Sequence, residues 1–127
     1  MSGDRLLLDT NAIIQLLTGN PAMSDIAASA GFLATSVICQ LEFLSYPPLD
    51  DVSRRAFLRF LSRIRVFGVH PSDSDLIRET VALRVESRLK LPDAIIAATA
   101  LVNDCILVSA DAHFRKLVRV PLQTYPL

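Results

Sequence analysis

Apolar residues in this chain fall into two alternating patterns, short unbroken runs and longer stretches spaced at three and four. Arg5–Leu8 carries Leu6, Leu7 and Leu8 without a break and stops at Asp9-Thr10-Asn11, which predicts a short buried strand. Thr10 or Asn11 can then cap a helix carrying Ala12, Ile13, Leu16 and Leu17, stopped at Gly19-Asn20-Pro21. Phe32–Ala34 reads as a second strand, and Thr35 or Ser36 as the cap of a helix to about Ser45, ended by Pro47-Pro48. Between Val52 and Ile64 the apolar positions are Ala56, Phe57, Phe60, Leu61 and Ile64, the spacing of an amphipathic helix. Val66–Val69 is a third strand. Asp73 or Ser74 starts a helix with Leu76, Ile77, Thr80, Val81 and Val85 expected on its inner side. Pro92 suits the first turn of an apolar helix to about Val102. Cys105–Val108 reads as a fourth strand, Ala112–Leu117 as a short helix and Pro121–Thr124 as a weak edge strand.

Strands that alternate with helices predict an α/β fold, a three-layer sandwich with a central, mostly parallel sheet covered on both faces. With 127 residues and neither repeats nor long linkers, one domain spanning 1–127 is expected. An apolar fraction of 51% beside 20% charged residues excludes a disordered chain. No apolar run approaches the roughly 20 residues that span a bilayer. Met1-Ser-Gly-Asp-Arg5 lacks the basic start of a secretory leader. Cys39 and Cys105 both lie in apolar segments and read as reduced core residues, so a cytoplasmic protein is expected. Net charge is zero, which gives no push toward nucleic acid. Eleven of the thirteen basic residues are Arg, with only Lys90 and Lys116 besides; the planar guanidinium suits phosphate contacts.

Four acids carry the candidate chemistry. Asp9 ends the first apolar run, Glu42 lies inside Ser36–Leu44, Asp93 follows Leu91-Pro92, and Asp111 comes just after Ile106–Ser109. Carboxylates at such places are costly to desolvate alone. Open parallel sheets collect their sites at the carboxyl ends of strands, where Asp9 and Asp111 both belong. Asp93 falls in a first helical turn, where the backbone dipole favours negative charge. Four convergent carboxylates repel one another, and a divalent cation relieves that repulsion. Oxygen donors without His or Cys at comparable positions select Mg²⁺ or Mn²⁺ over zinc. Such ions activate water and stabilise phosphoryl charge, so the chemistry implied is phosphodiester hydrolysis.

The segments Leu6-Leu-Leu-Asp9-Thr-Asn11, Glu42, Lys90-Leu-Pro-Asp93-Ala-Ile-Ile-Ala-Ala-Thr-Ala100 and Leu107-Val-Ser-Ala-Asp111-Ala-His-Phe114 together resemble a PIN domain. In length and segment order the chain is similar to the VapC-type ribonuclease toxins of toxin–antitoxin pairs. The resemblance implies that Asp9, Glu42, Asp93 and Asp111 form the catalytic and metal-binding cluster, with Asn11 and Ser109 in support. Asp9, Asp93 and Glu42 would hold a first Mg²⁺ or Mn²⁺, and Asp111 would complete the cluster or hold a second ion. It further implies an RNA substrate, cut by water to leave a 5′ phosphate, a small antitoxin whose tail lies across the site, and a homodimer built by helices. The exposed side of Val52–Ile64 or of Asp75–Leu89 is the expected dimer surface.

Other polar residues have plainer readings. Thr10 reads as structural, and His113 and His70 as surface or loop residues. Arg55, Arg59 and Arg63 recur every four residues and form either a solvated stripe or a phosphate track for RNA. Lys90, three residues before Asp93, is a candidate for a phosphate or an antitoxin carboxylate. Receiver domains and haloacid-dehalogenase-like phosphatases also place an Asp after the first strand. The first would need another Asp after Val66–Val69, where His70-Pro71 stands, and the second an acid where Asn11 stands. A PIN-type scaffold without activity is the non-enzymatic alternative, against which the complete acidic quartet argues.

Overall fold

A computed structural model describes residues 3–127. Met1 and Ser2, part of the segment examined for a leader and of the expected 1–127 domain, lie outside the described residues. Among the described residues the strands are β1 (Arg5–Leu8), β2 (Phe32–Ser36), β3 (Arg65–Phe67), β4 (Ile106–Val108) and β5 (Leu122–Gln123). The helices are α1 (Thr10–Leu17), α2 (Pro21–Ser29), α3 (Val37–Leu44), α4 (Asp51–Leu61), α5 (Ser74–Ser87) and α6 (Leu91–Val102), with a 3₁₀ turn at Ala112–Phe114. The sheet runs in the order β3-β2-β1-β4-β5, and every pairing is parallel. The α/β class and the parallel sheet are as the alternation predicts.

The side-chain alternation of β1 sorts the two faces. Leu7 joins an apolar cluster with Leu76 and Leu83 of α5 and Ala94, Ile96, Ala97 and Ala98 of α6. Leu6 and Leu8 point the other way, to Ala12 and Ile13 of α1, Met23 of α2 and Phe57 and Leu61 of α4. Helix α3 serves both layers, with Cys39 in the first cluster and Phe43 in the second. Phe43 stacks on Phe57 with ring centroids 3.8 Å apart, which ties α3 to α4. Run after run of alanine lets α6 lie deep, buried from Ala94 to Ala100 apart from the half-buried Ile95.

Several boundaries and one helix differ from the sequence reading. Pro21–Ser29 is a helix, α2, where only a stop was expected. Asn20 caps it by accepting from Met23 N–H, with Pro21 in its first turn, so one residue group ends α1 and begins α2. Asp9, and not Thr10 or Asn11, caps α1. The inner face of α5 is also different. Leu76, Thr80 and Leu83 are buried, whereas Ile77, Val81 and Val85 are exposed. Apolar spacing fits both faces of this helix, and the stripe ending in Leu83 is the one that meets α6. The short helix after Asp111 is a single 3₁₀ turn.

Candidate metal centre

Asp9 leaves β1 at the carboxyl edge of the sheet, its N–H donating to the Val108 carbonyl at 3.2 Å. The carboxylate turns back to accept from Ala12 N–H at 2.8 Å, so the cap of α1 orients it. Asp93 stands in the first turn of α6. Asp111 caps the 3₁₀ turn by accepting from His113 N–H at 2.9 Å, and its own N–H donates to Ser109 Oγ at 3.0 Å. Glu42 projects from the middle of α3 and accepts from Thr10 Oγ1 at 2.8 Å. It is exposed. These four carboxylates, which the sequence spreads over a hundred residues, line one cavity of about 350 Å³ together with Thr10, Asn11 and Phe114.

The cluster is electrostatically strained in the direction its convergence predicts. Asp9 is 6% exposed. Burial is the main reason its carboxyl is pushed up to about 6; Asp111 and Asp93 add to this, and hydrogen bonds from Ser109 and Ala12 oppose it. Asp93 is also raised, first by burial and then by the charges of Asp111 and Glu42, against the pull of His113 and Lys90. Carboxylates held against their preference for water and against one another are what a cation would relieve.

The polar neighbours divide unevenly. Asn11 lines the cavity, and Ser109 is fully buried beneath it between Asp9 and Asp111. Lys90 is the N-cap residue of α6 and bears on Asp93 by charge alone. Arg55, Arg59 and Arg63 are exposed and do not line the cavity. Arg55 Nε donates to the Asp51 carbonyl at 3.2 Å, and Arg63 falls beyond the end of α4.

Two residues given plain readings, and one given none, come to the centre. Thr10 holds Glu42, as above. His113 Nδ1 lies 3.0 Å from Asp111 Oδ1, and ligand atoms of Asp93, Asp111 and His113 fall within 4.8 Å of one another. The donor set therefore includes an imidazole, because the 3₁₀ turn folds His113 back onto its own cap. Tyr125, which had no reading at all, backs the site from inside. The spacing of His113 two residues after Asp111 was a usable signal; nothing local marked Tyr125. The carboxylate oxygens fit a hard divalent cation, and the imidazole departs from the oxygen-only donor set expected from the sequence.

A separate apolar groove of about 380 Å³ runs between α1, α3 and α4, lined among others by Ile14, Leu17, Phe43, Tyr46 and Val52. Tyr46 and Val52 are 67% and 73% exposed. Among the described residues no helix is long and apolar enough to cross a membrane.

A family model described as the PIN domain matches residues 6–120. Among solved structures, one from a toxin–antitoxin complex of Klebsiella pneumoniae is 29% identical, with a TM-score of 0.75 over 91% of this chain and 94% of that one. A chain of VapBC2 from Rickettsia felis bound to a promoter DNA fragment is 18% identical, with a TM-score of 0.77 over 95% and 98%. A chain of FitAB bound to a DNA fragment is 19% identical, with a TM-score of 0.75 over 94% of each. No curated protein matches the chain.

Proposed function

The chain belongs to the PIN domain family, and from that premise we propose that it is the toxin of a toxin–antitoxin pair, a metal-dependent endoribonuclease of the cytoplasm. The observation that carries this reading is the single cavity onto which Asp9, Glu42, Asp93 and Asp111 all face. The likeness to a chain of a toxin–antitoxin complex supports the toxin role.

Asp9, Glu42, Asp93 and Asp111 would hold Mg²⁺ or Mn²⁺, with His113 within reach of the last two. A cation there supplies positive charge to a scissile phosphate and lowers the pKa of an attacking water. The chain's own residues set up the rest. Ser109 and Ala12 N–H orient Asp9, Thr10 orients Glu42, and His113 fixes Asp111. Lys90, whose charge bears on Asp93, would offer a cation to a phosphate oxygen.

The apolar groove supports an antitoxin partner. It is lined by residues of α1 and α3, the helices that also carry Thr10 and Glu42 of the acidic cavity. Its exposed Tyr46 and Val52 are the kind of apolar surface that marks a protein contact.

The test is cleavage of a mixed RNA pool with Mn²⁺, with Mg²⁺ and with chelator, alongside Asp9→Asn and Asp93→Asn. Metal-dependent cutting, lost by at least a hundredfold in both folded variants, is the expected result. Full activity in both variants sinks the assignment. A folded, metal-binding chain that cuts no RNA, with total cellular tRNA and rRNA included, favours the scaffold reading.

A further inference from the structure

The Tyr125 hydroxyl is a buried side-chain polar atom without a hydrogen-bond partner among the described residues, in a residue only 6% exposed. Phenylalanine would fill the same space without stranding a hydroxyl, so packing alone does not account for tyrosine here. The sheet edge sets its place. Val108 is registered with Gln123, and Ser109 N–H donates to the Gln123 carbonyl at 3.1 Å. On the other side Asn20 Nδ2 donates to the Pro126 carbonyl at 3.0 Å. Between these ties the Tyr125 ring enters the apolar cluster of Leu8, Ile13 and Val108. Leu8 precedes Asp9 and Val108 precedes Ser109, so the phenol sits behind the acidic cavity without lining it.

The polar groups that bear on the hydroxyl are the Asp9 carboxylate and the Asn11 side chain. A phenol is a hydrogen-bond donor at neutral pH whatever its surroundings. Asp9 accepts from Ala12 and Ser109, and a carboxylate has about four acceptor positions. One more donor still leaves a position for a cation. Asn11 is exposed, so its amide can rotate onto the phenol.

We propose that Tyr125 is a positioning residue of this centre: its phenol accepts from the Asn11 amide and donates to Asp9, fixing the carboxylate that a cation meets. Groups that orient metal ligands through a hydrogen bond usually set affinity by tenfold or more. The role rests on the metal reading, but part of its test does not.

The test compares the purified full chain with Tyr125→Phe, Asn11→Ala and the double variant. Tyr125→Phe keeps the ring and removes the hydroxyl alone. Its Mn²⁺ affinity by calorimetry is expected to fall about tenfold. In the metal-free protein, NMR signals of the Asn11 side-chain amide are expected to move. In the double variant the two losses of affinity are expected to be less than additive. An unchanged Mn²⁺ affinity in Tyr125→Phe overturns the assignment. Should the wild-type chain bind no Mn²⁺, the metal reading falls, and unmoved Asn11 signals would then overturn the Tyr125 role as well.

Discussion

Asp9 shows how one residue can answer two readings together. It caps α1 through Ala12 N–H, which is all a turn residue need do, and the same bond aims its carboxylate at the cavity. Its charge is costly to the metal-free fold. The carboxyl is raised from 3.8 to about 6, so between these values the native state binds more protons than the unfolded chain. Stability from this group therefore falls as pH rises. The penalty is absent below about pH 4 and complete above about pH 6, and it amounts to about 3 kcal/mol. In chelator at pH 7, Asp9→Asn is expected to melt roughly 10 °C above wild type, with the gap closing toward pH 4. Parallel pH profiles for the two proteins in thermal denaturation would refute this. The acids themselves were legible because each lies beside or within an apolar segment. Thr10 and Tyr125 were not, since distant chain brings Glu42 to the one and the strand ends to the other, while the spacing of His113 from Asp111 was a signal that went unused.

At the scale of elements, periodicity found the strands and most helices but could not choose between faces that are both apolar. Helix α5 carries Leu76, Thr80 and Leu83 on one stripe and Ile77, Val81 and Val85 on another, and only packing against α6 buried the first. Helix α2 was missed because Asn20-Pro21 was read as a stop, although an Asn cap before Pro is equally a start. Helix α4 presents Arg55 and Arg59 to solvent on the outer layer, with Arg63 just past its end. If these three form a track for RNA, their replacement by Ala lowers the salt slope of binding by about two, at roughly 0.7 for each single-strand phosphate contact. An unchanged slope in filter binding would leave them as ordinary solvated surface.

For the whole molecule, Ile77, Val81 and Val85, at 46%, 56% and 77% exposed, leave an apolar stripe of α5 open. It lies within the 75–89 surface expected to join two copies. Sedimentation at tens of micromolar is expected to give a dimer that Val81→Arg converts to a monomer; a wild-type monomer at that concentration counts against pairing. The sequence alone was enough to locate the five strands, every helix but α2, and four acids that line one cavity. These signals are local: apolar period sets the element, and a polar break after an apolar run marks the sheet edge. Only the tertiary structure decided that β1 lies between β2 and β4, bringing Asp9 beside Asp111. It also decided which α5 stripe is covered, and that β5 lays Tyr125 behind Asp9. Those outcomes depend on contacts between residues far apart in the chain, where burial and strand pairing choose among arrangements that local spacing leaves equal.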